Sequence, residues 1–520
     1  MNASLIWIQV QNEMRLRSRR LSSVAAILLV VGLAWLIVQD PKSGHALFVM
    51  NQVRALYNSE MLSMASATLV SPLFALLSFY LVRGRIGEDL RSGVGAVIGS
   101  TQVGNAGFLI SRWLGGVAYL SLLLLAFMVS VMTCQVLRGE APLQIWPYLQ
   151  AWLVVLLPSV FFSISCAILF DSLPFLMGKG GDVLYFLLWV AQLSMVSQMD
   201  KYQGVGIPYW MAFDMTGMVS SITNLKYFVG KHFSLGGGNF DPALAPRVMP
   251  LLISDGRIYG VRALSALLAL LPMLPAIRYF HRYSPDRVKA GHSKQRRSPV
   301  AVLNDWLRPA ARLAQPLFRL GASLPGMAGK VVCDVALSLT AAPAAMLALL
   351  VLTVLGLFGS SSILPGVLLA SSIIWGIVIS DISTRDFQAD LEHMTAAVPG
   401  GAGQRYLRQI LASVLLALVV MGAIVLRFAT SHPAWALAIL TGIFSLSALA
   451  SLLGRTSRKA RTFLSLFLFW VYMALNAHSV PVIDIMAFNG VVNQAASMQH
   501  LMLGLAALLL GMGYNRWRSE

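Results

Sequence analysis

The sequence predicts an all-α integral membrane protein with about 12 transmembrane helices, arranged as two six-helix halves that are each preceded by an interfacial helix. Of the 520 residues, 57% are hydrophobic and 12% are charged, and the mean hydropathy is +0.72. Soluble domains are about 25% charged. Apolar runs long enough to cross a hydrocarbon core recur along the chain, and Lys and Arg concentrate at their ends, as is typical of membrane proteins.

Each apolar run is predicted to be a helix because backbone groups in lipid must form their hydrogen bonds internally. The first six runs are Leu21–Val38, Leu62–Val82, Trp113–Val136, Tyr148–Phe170, Val183–Met199 and Ile258–Phe280. The second six are Leu339–Leu357, Ser362–Ser380, Leu407–Leu426, Ala434–Leu453, Phe463–Ala477 and Met498–Tyr514. The fifth and eleventh runs are short for a span.

Charge placement predicts the orientation. With both termini in the cytoplasm, most Lys and Arg fall in cytoplasmic segments, so the positive-inside rule favours a multi-pass protein of a bacterial inner membrane in that orientation. The formal net charge of +18 therefore reflects contact with membrane lipid, and nucleic-acid binding is not expected. Cys134, Cys166 and Cys333 have neither disulfide-framework nor metal-site spacing, so no metal or cofactor is expected in this chain.

Composition predicts three regions along the chain. Residues 1–280 form the first half with an N-terminal interfacial helix, residues 281–325 form a basic cytoplasmic linker, and residues 326–520 form the second half. The first part of the linker is polar and is predicted to be flexible. The second part places Trp306, Leu313 and Leu320 among arginines. It fits either an amphipathic segment on the anionic inner leaflet or a disordered tether.

Three weak correspondences favour an internal duplication. An acidic residue precedes the first span of each half, at Glu13 and at Asp334. A long loop follows the second span of each half. Beyond the fifth span, Pro208 precedes Gly217 by the same spacing that separates Pro481 from Gly490.

The two long loops, Arg83–Arg112 and Asp381–Arg408, contain the candidate functional charges. Each has about 30 residues, whereas links between helices usually take about 2–8. A short amphipathic helix followed by a Gly-rich turn would present charges to a cytoplasmic partner; an ordinary solvated loop is the alternative. The charges predicted to couple to that partner are Glu88, Asp89, Arg91, Asp386, Asp390 and Glu392.

These features together resemble the permease subunit of type-2 ATP-binding-cassette exporters. The resemblance is carried by the N-terminal segment around Glu13 and Arg15, the acidic loop Glu88–Arg91 with its Gly-rich continuation to Phe108–Gly116, the outer segment Ile207–Gly217, and the exit of the sixth span at Arg278–Arg287. It covers nearly the whole chain if the second half is a diverged copy.

The resemblance implies a mechanism as well as a fold. The loops would dock on a separate ATP-binding-cassette ATPase, in two copies, which would bind ATP and Mg²⁺ and drive export of an amphipathic or apolar substrate. No G-x-x-x-x-G-K-[ST] phosphate-binding motif occurs in this chain, so it is not expected to be an enzyme in its own right. The substrate itself is not predicted.

Polar residues within the spans are the candidates for a transport pathway. Arg262 lies one turn from the outer end of the sixth span, where its side chain either snorkels to the interface or contributes to the pathway. Gln192 in the fifth span is an uncharged candidate, with helix packing as its alternative role. In the outer loop, Asp214, Asp241 and Asp255 are interpreted as solvated charges.

Two other functions fit part of the pattern. A twelve-span secondary transporter of the major-facilitator type would also have a basic central loop, but its short loop motif G-x-x-x-D-R-x-G-R is absent here. A membrane-embedded transferase needs paired carboxylates or a catalytic His at the membrane face, and no such cluster is evident.

Overall fold

The computed structural model describes residues 3–19, 21–101, 103–196, 207–230, 233–249, 256–280, 299–389, 391–392, 394, 401–476 and 480–519. The chain divides into two compact units, Met1–Arg296 and Arg297–Glu520. Both are largely helical. Residues 299–323, within the predicted linker, form helices that belong to the second unit.

Twelve helices form the described part of the first unit. They are α1 (Ala3–Ser18), α2 (Leu21–Ile37), α3 (Ser59–Val82), α4 (Arg85–Arg91), α5 (Val94–Ser100), α6 (Asn105–Arg138), α7 (Ile145–Ala151), α8 (Leu157–Ser172), α9 (Lys179–Ser194), α10 (Met218–Val229), α11 (Gly256–Leu268) and α12 (Met273–Tyr279). A π-helical turn, Trp152–Leu156, joins α7 to α8.

The described part of the second unit contains ten helices. They are α13 (Pro299–Trp306), α14 (Gln315–Ser323), α15 (Gly326–Ala341), α16 (Pro343–Phe358), α17 (Leu364–Ile379), α18 (Arg385–Gln388), α19 (Gly401–Ser431), α20 (Pro433–Ser457), α21 (Ala460–Asn476) and α22 (Gln494–Ser519). Trp375 is fully buried in this unit and donates its Nε1 proton to the carbonyl of Ser413, 3.0 Å away, which ties α17 to α19.

Among the described residues, eight helical stretches are long and apolar enough to cross a membrane, or up to ten if each of two bent helix pairs is one span. The chain is therefore an all-α membrane protein in its main architecture. Helices α9 and α21, at the predicted fifth and eleventh spans, have 16 and 17 residues and are shorter than the about 20 that a span needs. Twelve spans in two six-helix halves remain a prediction.

The two bent pairs are α1 with α2, at 75°, and α15 with α16, at 109°. The predicted seventh span ran continuously from Leu339, and this boundary was wrong. Proline at 343 excludes the helical conformation from the residue before it, so Ala342 leaves the helix with φ −138° and ψ 74°. The straight apolar helix α16 consequently begins at Pro343, and α15 meets it at 109°.

A three-stranded antiparallel sheet in the first unit was not predicted. Its strands are β1 (His45–Met50), β2 (Val53–Arg54) and β3 (Phe233–Asn239), in the order β2-β1-β3. Asn51 and Gln52 form the β1–β2 turn, both with positive φ, as a two-residue hairpin requires. Strand β3 contains Gly236–Gly238, and glycine is depleted in strands. Its amino-acid sequence therefore did not predict a strand.

Candidate functional site

The loop Arg83–Arg112 folds onto α1 and α6 through a buried group of charges. We call this group the first loop cluster; its members are Glu13, Arg17, Arg85, Glu88, Asp89 and Arg112. Close approach of α1 and α6 makes the burial feasible, because a Cβ atom at Gly115 would lie only 2.7 Å from the Cβ of Glu13. Glu13, Asp89 and Arg112 are 6%, 3% and 7% exposed.

Glu13 lies at the centre of the first loop cluster. Its carboxylate is 3.4 Å from Nε of Arg17, 3.4 Å from Nε of Arg85 and 3.7 Å from Nε of Arg112. Arg112 also forms an ion pair with Asp89, so one arginine on α6 contacts both the N-terminal helix and the loop. Because a buried charge that loses its partner costs about 3–5 kcal/mol, these contacts couple the position of α4 to that of α1.

Glu88 occupies a more accessible position in the same cluster. Its carboxylate is 3.1 Å from Nη1 of Arg85, and its side chain is 22% exposed. The side chain of Arg91, the third predicted coupling residue of this loop, lies outside the described residues. Of the three predicted residues, the structure therefore brings Glu88 and Asp89 together around Arg85.

A second group of charges, which sequence reasoning missed, adjoins the first. Arg83 is fully buried and forms ion pairs with Asp182 and, at 3.5 Å, with Asp171. Asp171 also accepts a hydrogen bond from the backbone N–H of Gly84 at 2.6 Å. All three side chains directly flank predicted apolar runs on the same predicted side of the membrane. That shared placement is the sequence feature from which their contact could have been predicted.

A small cavity of about 20 Å³ separates the two groups. Arg17, Arg85, Arg112 and Asp171 line its polar wall, and apolar side chains of α3, α4, α6 and α8 complete it. The volume suits a single water molecule, which needs about 10–15 Å³ and several polar partners. It is too small for a transported solute, and the charges around it form a junction between α1, α4 and α6.

Beyond the first loop cluster, helix α5 presents apolar side chains to the surroundings. Val94 and Val97 are 47% and 66% exposed. Gly93 precedes the helix with φ +74°, a conformation that other residues rarely adopt and that turns the chain away from α4. The loop therefore offers an exposed apolar helix held in place by a buried charge cluster.

The second unit places charges in corresponding positions. Asp334 on α15 is 2.6 Å from Nε of Arg408 on α19, as Glu13 on α1 contacts Arg112 on α6. Asp386 in the loop is 2.8 Å from Nη1 of Arg405, also on α19. In both units, an acid before the first apolar helix and an acid in the long loop pair with arginines of the helix after that loop.

Glu392 does not join Asp386. It pairs with Arg455 at 3.2 Å and Arg458 at 3.5 Å, both at the end of α20. Asp390 lies outside the described residues. The predicted acidic cluster of this loop thus contains at least two separate contacts, one to α19 and one to α20.

Arg262 does not snorkel to the interface, and that expectation was wrong. Its side chain is buried, donating from Nε to the carbonyl of Val154 at 2.9 Å and from Nη2 to that of Val155 at 3.0 Å. The carbonyl of Val154 is accessible because Pro158, four residues on, has no N–H to donate. The arginine therefore supplies a donor to the carbonyl that Pro158 leaves without its helical partner.

Asp214, interpreted from the sequence as a solvated charge, is fully buried. Its carboxylate accepts hydrogen bonds from the N–H groups of Gly217 at 3.0 Å and Ser220 at 2.9 Å, and Arg262 donates to its backbone carbonyl. Gln192 accepts from the N–H of Met215 at 2.9 Å. The two candidate pathway residues, Arg262 and Gln192, thus both hold this outer segment against the helices. Asp241 is exposed, and Asp255 lies outside the described residues.

The second unit contains a similar outer segment. Asp484, also fully buried, accepts from the N–H groups of Phe488 at 2.6 Å and Asn489 at 3.0 Å. His500 of α22 is 2.8 Å from the carbonyl of Val482, in the manner of Arg262 with Asp214. In each unit, a buried aspartate accepts backbone hydrogen bonds within such a segment. A side chain of the last apolar helix, Arg262 or His500, then contacts a backbone carbonyl of the same segment.

The described residues contain no group of three or more His, Cys, Asp or Glu side chains that could hold a metal ion. Comparison with known proteins gives no relative: no family model, no curated protein and no solved structure matches the chain. The geometry of the long loops and of the segments around Asp214 and Asp484 is consequently the basis for a functional proposal.

Proposed function

We propose that the chain is the transmembrane subunit of an ATP-driven exporter of the type-2 ATP-binding-cassette class, with ATP hydrolysed by a separate subunit. The observation that carries the proposal is the first loop cluster with helix α5. It combines an exposed apolar surface, Val94 and Val97, with buried ion pairs to α1 and α6. In this proposal, movement of the loop on ATP binding would be passed to α1 and α6 through these ion pairs.

The correspondence between the units supports the same proposal. Asp334 with Arg408, and Asp386 with Arg405, repeat the pairing of acids and arginines around the second long loop. Two loops of this kind would serve two copies of an ATPase. The substrate class, amphipathic or apolar, follows from the apolar character of the spans and the scarcity of charges within them.

The test uses a surface change on α5, because reversal of the buried Asp89 would destabilise the junction. In liposomes that contain the chain and its ATPase, Val97→Asp should reduce transport-stimulated ATP hydrolysis strongly. The matched control is Val248→Asp, which changes a valine of similar exposure, 63% against 66%, in a different segment. The control should retain stimulation.

Three outcomes would contradict the proposal: normal stimulation in Val97→Asp, loss of stimulation in both variants, or transport by the purified chain alone under an ion gradient. The last result would favour a secondary transporter. Elution volume and unfolding temperature of each variant show that a loss of activity is not a loss of folding.

A further inference from the structure

The short helices that precede α15 form a surface that the proposed function does not use. We call it the platform; it comprises α13, the 3₁₀ turn Arg308–Ala314 and α14. The side chain of Asn304 accepts a hydrogen bond from the N–H of Ala344 at 3.0 Å. This contact supplies a cap that Ala342 cannot provide, and it fixes the platform where α16 begins.

The platform is also packed tightly on α15. A Cβ atom at Gly321 would lie 2.5 Å from Sγ of Cys333 and 3.0 Å from the carbonyl oxygen of Gly329. Helices that meet at glycines approach closely, so α14 is held at a fixed position on α15. Because α15 meets α16 at 109°, the platform extends sideways from the point where the apolar helix starts.

The platform exposes both large apolar side chains and arginines. Trp306, Leu313 and Leu320 are 76%, 61% and 49% exposed. Arg308, Arg312 and Arg319 are exposed as well, and Asp305, which lies 3.7 Å from Arg308, is the one acid in residues 299–325. Water solvates exposed tryptophan and leucine poorly, so this face is suited to an apolar environment with anionic groups at its edge.

We propose that the platform binds the anionic phospholipid headgroups of the adjacent leaflet. The guanidinium groups would bind phosphate oxygens, and the apolar side chains would enter the boundary between headgroups and acyl chains. A bilayer is favoured over a protein partner by the attachment of Asn304 to Ala344, because the start of an apolar helix that enters the membrane lies at the depth of the headgroups. The proposal does not depend on the exporter hypothesis.

The test measures binding of a short-chain phosphatidylglycerol to the full-length chain in neutral detergent, with the equivalent phosphatidylcholine as comparison. The triple variant Arg308→Gln, Arg312→Gln, Arg319→Gln should bind phosphatidylglycerol about 100-fold more weakly, because each basic residue at an anionic surface contributes about a fivefold factor and the three factors multiply. Wild-type affinity should fall with added salt, since exposed charges are screened.

The matched control is Arg19→Gln, Arg247→Gln, Arg278→Gln, which removes three exposed arginines outside the platform. It should keep wild-type affinity. A separate Trp306→Ala variant should weaken binding and leave the salt dependence unchanged, since it removes only an apolar contact. If the triple variant does not fold, as judged by elution volume and unfolding temperature, Arg312→Gln alone should weaken binding about fivefold.

Three results would overturn the proposal. The first is equal affinity of the triple variant and the wild type. The second is displacement of the lipid by inorganic phosphate at equal concentration, which would identify a phosphate site without a role for the bilayer. The third is unchanged lipid affinity with loss of a co-purifying protein, which would assign the face to a protein partner.

Discussion

At the scale of single residues, Arg83 shows what fixes the start of the first long loop. It forms ion pairs with Asp171 and Asp182 and lies over the rings of Phe79 and Phe170, at 5.0 and 5.4 Å from their centroids. Burial removes the hydration of this charge, and its partners replace that hydration only as long as both remain. The sequence showed these charges at the ends of apolar runs and could not show that they meet.

Replacement of one ion-pair partner of Arg83 should therefore destabilise the folded chain strongly. Asp182→Asn leaves the guanidinium of Arg83 without its closest carboxylate, and we expect the free energy of unfolding to fall by about 3–5 kcal/mol. Denaturant unfolding in a neutral detergent measures the loss. Glu140→Gln, which breaks a more exposed ion pair with Arg54, should cost about 1 kcal/mol or less at pH 7. Equal losses for the two variants would contradict the assignment.

The Arg54–Glu140 pair also predicts a dependence on pH. Hydrogen bonds from Arg54 lower the pKa of Glu140 in the folded chain. Because the pKa of Glu140 is lower in the folded chain than in the unfolded chain, where it is about 4.3, its ionised form stabilises the folded chain at pH values above 4.3. This stabilisation is lost as the pH falls through the pKa of the folded chain. The difference in unfolding temperature between wild type and Glu140→Gln should thus be constant near neutral pH and shrink below about pH 4.3. A difference that grows on acidification would contradict the prediction.

At the scale of elements, proline positions explain much of what the sequence could and could not predict. Pro343 marks the break between α15 and α16, and that break follows from local sterics. The π-helical turn before Pro158 is different. The carbonyl of Val154, which Pro158 leaves without a helical donor, accepts instead from Arg262, about a hundred residues later in the chain. Periodicity identifies apolar helices, whereas such a long-range partner depends on tertiary packing.

Because Arg262 donates to the carbonyl that Pro158 leaves without a partner, we expect the two residues to be energetically coupled. Arg262→Met leaves the carbonyls of Val154 and Val155 without their donor, which destabilises the chain. In a Pro158→Ala background, the new N–H at position 158 is available to the carbonyl of Val154. Arg262→Met should then cost about 1 kcal/mol less than in the wild type, the net contribution of one hydrogen bond. A double-mutant cycle of unfolding free energies measures the coupling, and additive losses would show that the two residues act independently.

At the scale of the whole molecule, the same structural features follow one another in the same order in both units. No single sequence motif shows this correspondence clearly. Each begins with a bent helix pair that carries an acid, continues through a charged long loop, and ends with a buried aspartate in a segment bound by the last apolar helix. The sequence predicted the acids at Glu13 and Asp334 and the matching Pro-to-Gly spacings. Their partners could not be predicted. Each long loop ends in an aromatic residue followed by leucine, at Phe108 and at Tyr406, but Arg112 lies four residues after the first and Arg408 only two after the second.

If each unit docks one ATPase copy, surface changes in the two long loops should act separately and add. Val97 in the first loop is 66% exposed and Met394 in the second is 71% exposed, so a carboxylate at either position disturbs a partner surface and leaves the core intact. Native mass spectrometry of the purified complex should find two ATPase copies on the wild type, one on Val97→Asp or on Met394→Asp, and none on the double variant. Val248→Asp should retain both copies. Loss of both copies in each single variant would instead mean that the ATPase pair binds one composite surface, and unchanged binding in the double variant would exclude the long loops as the docking sites.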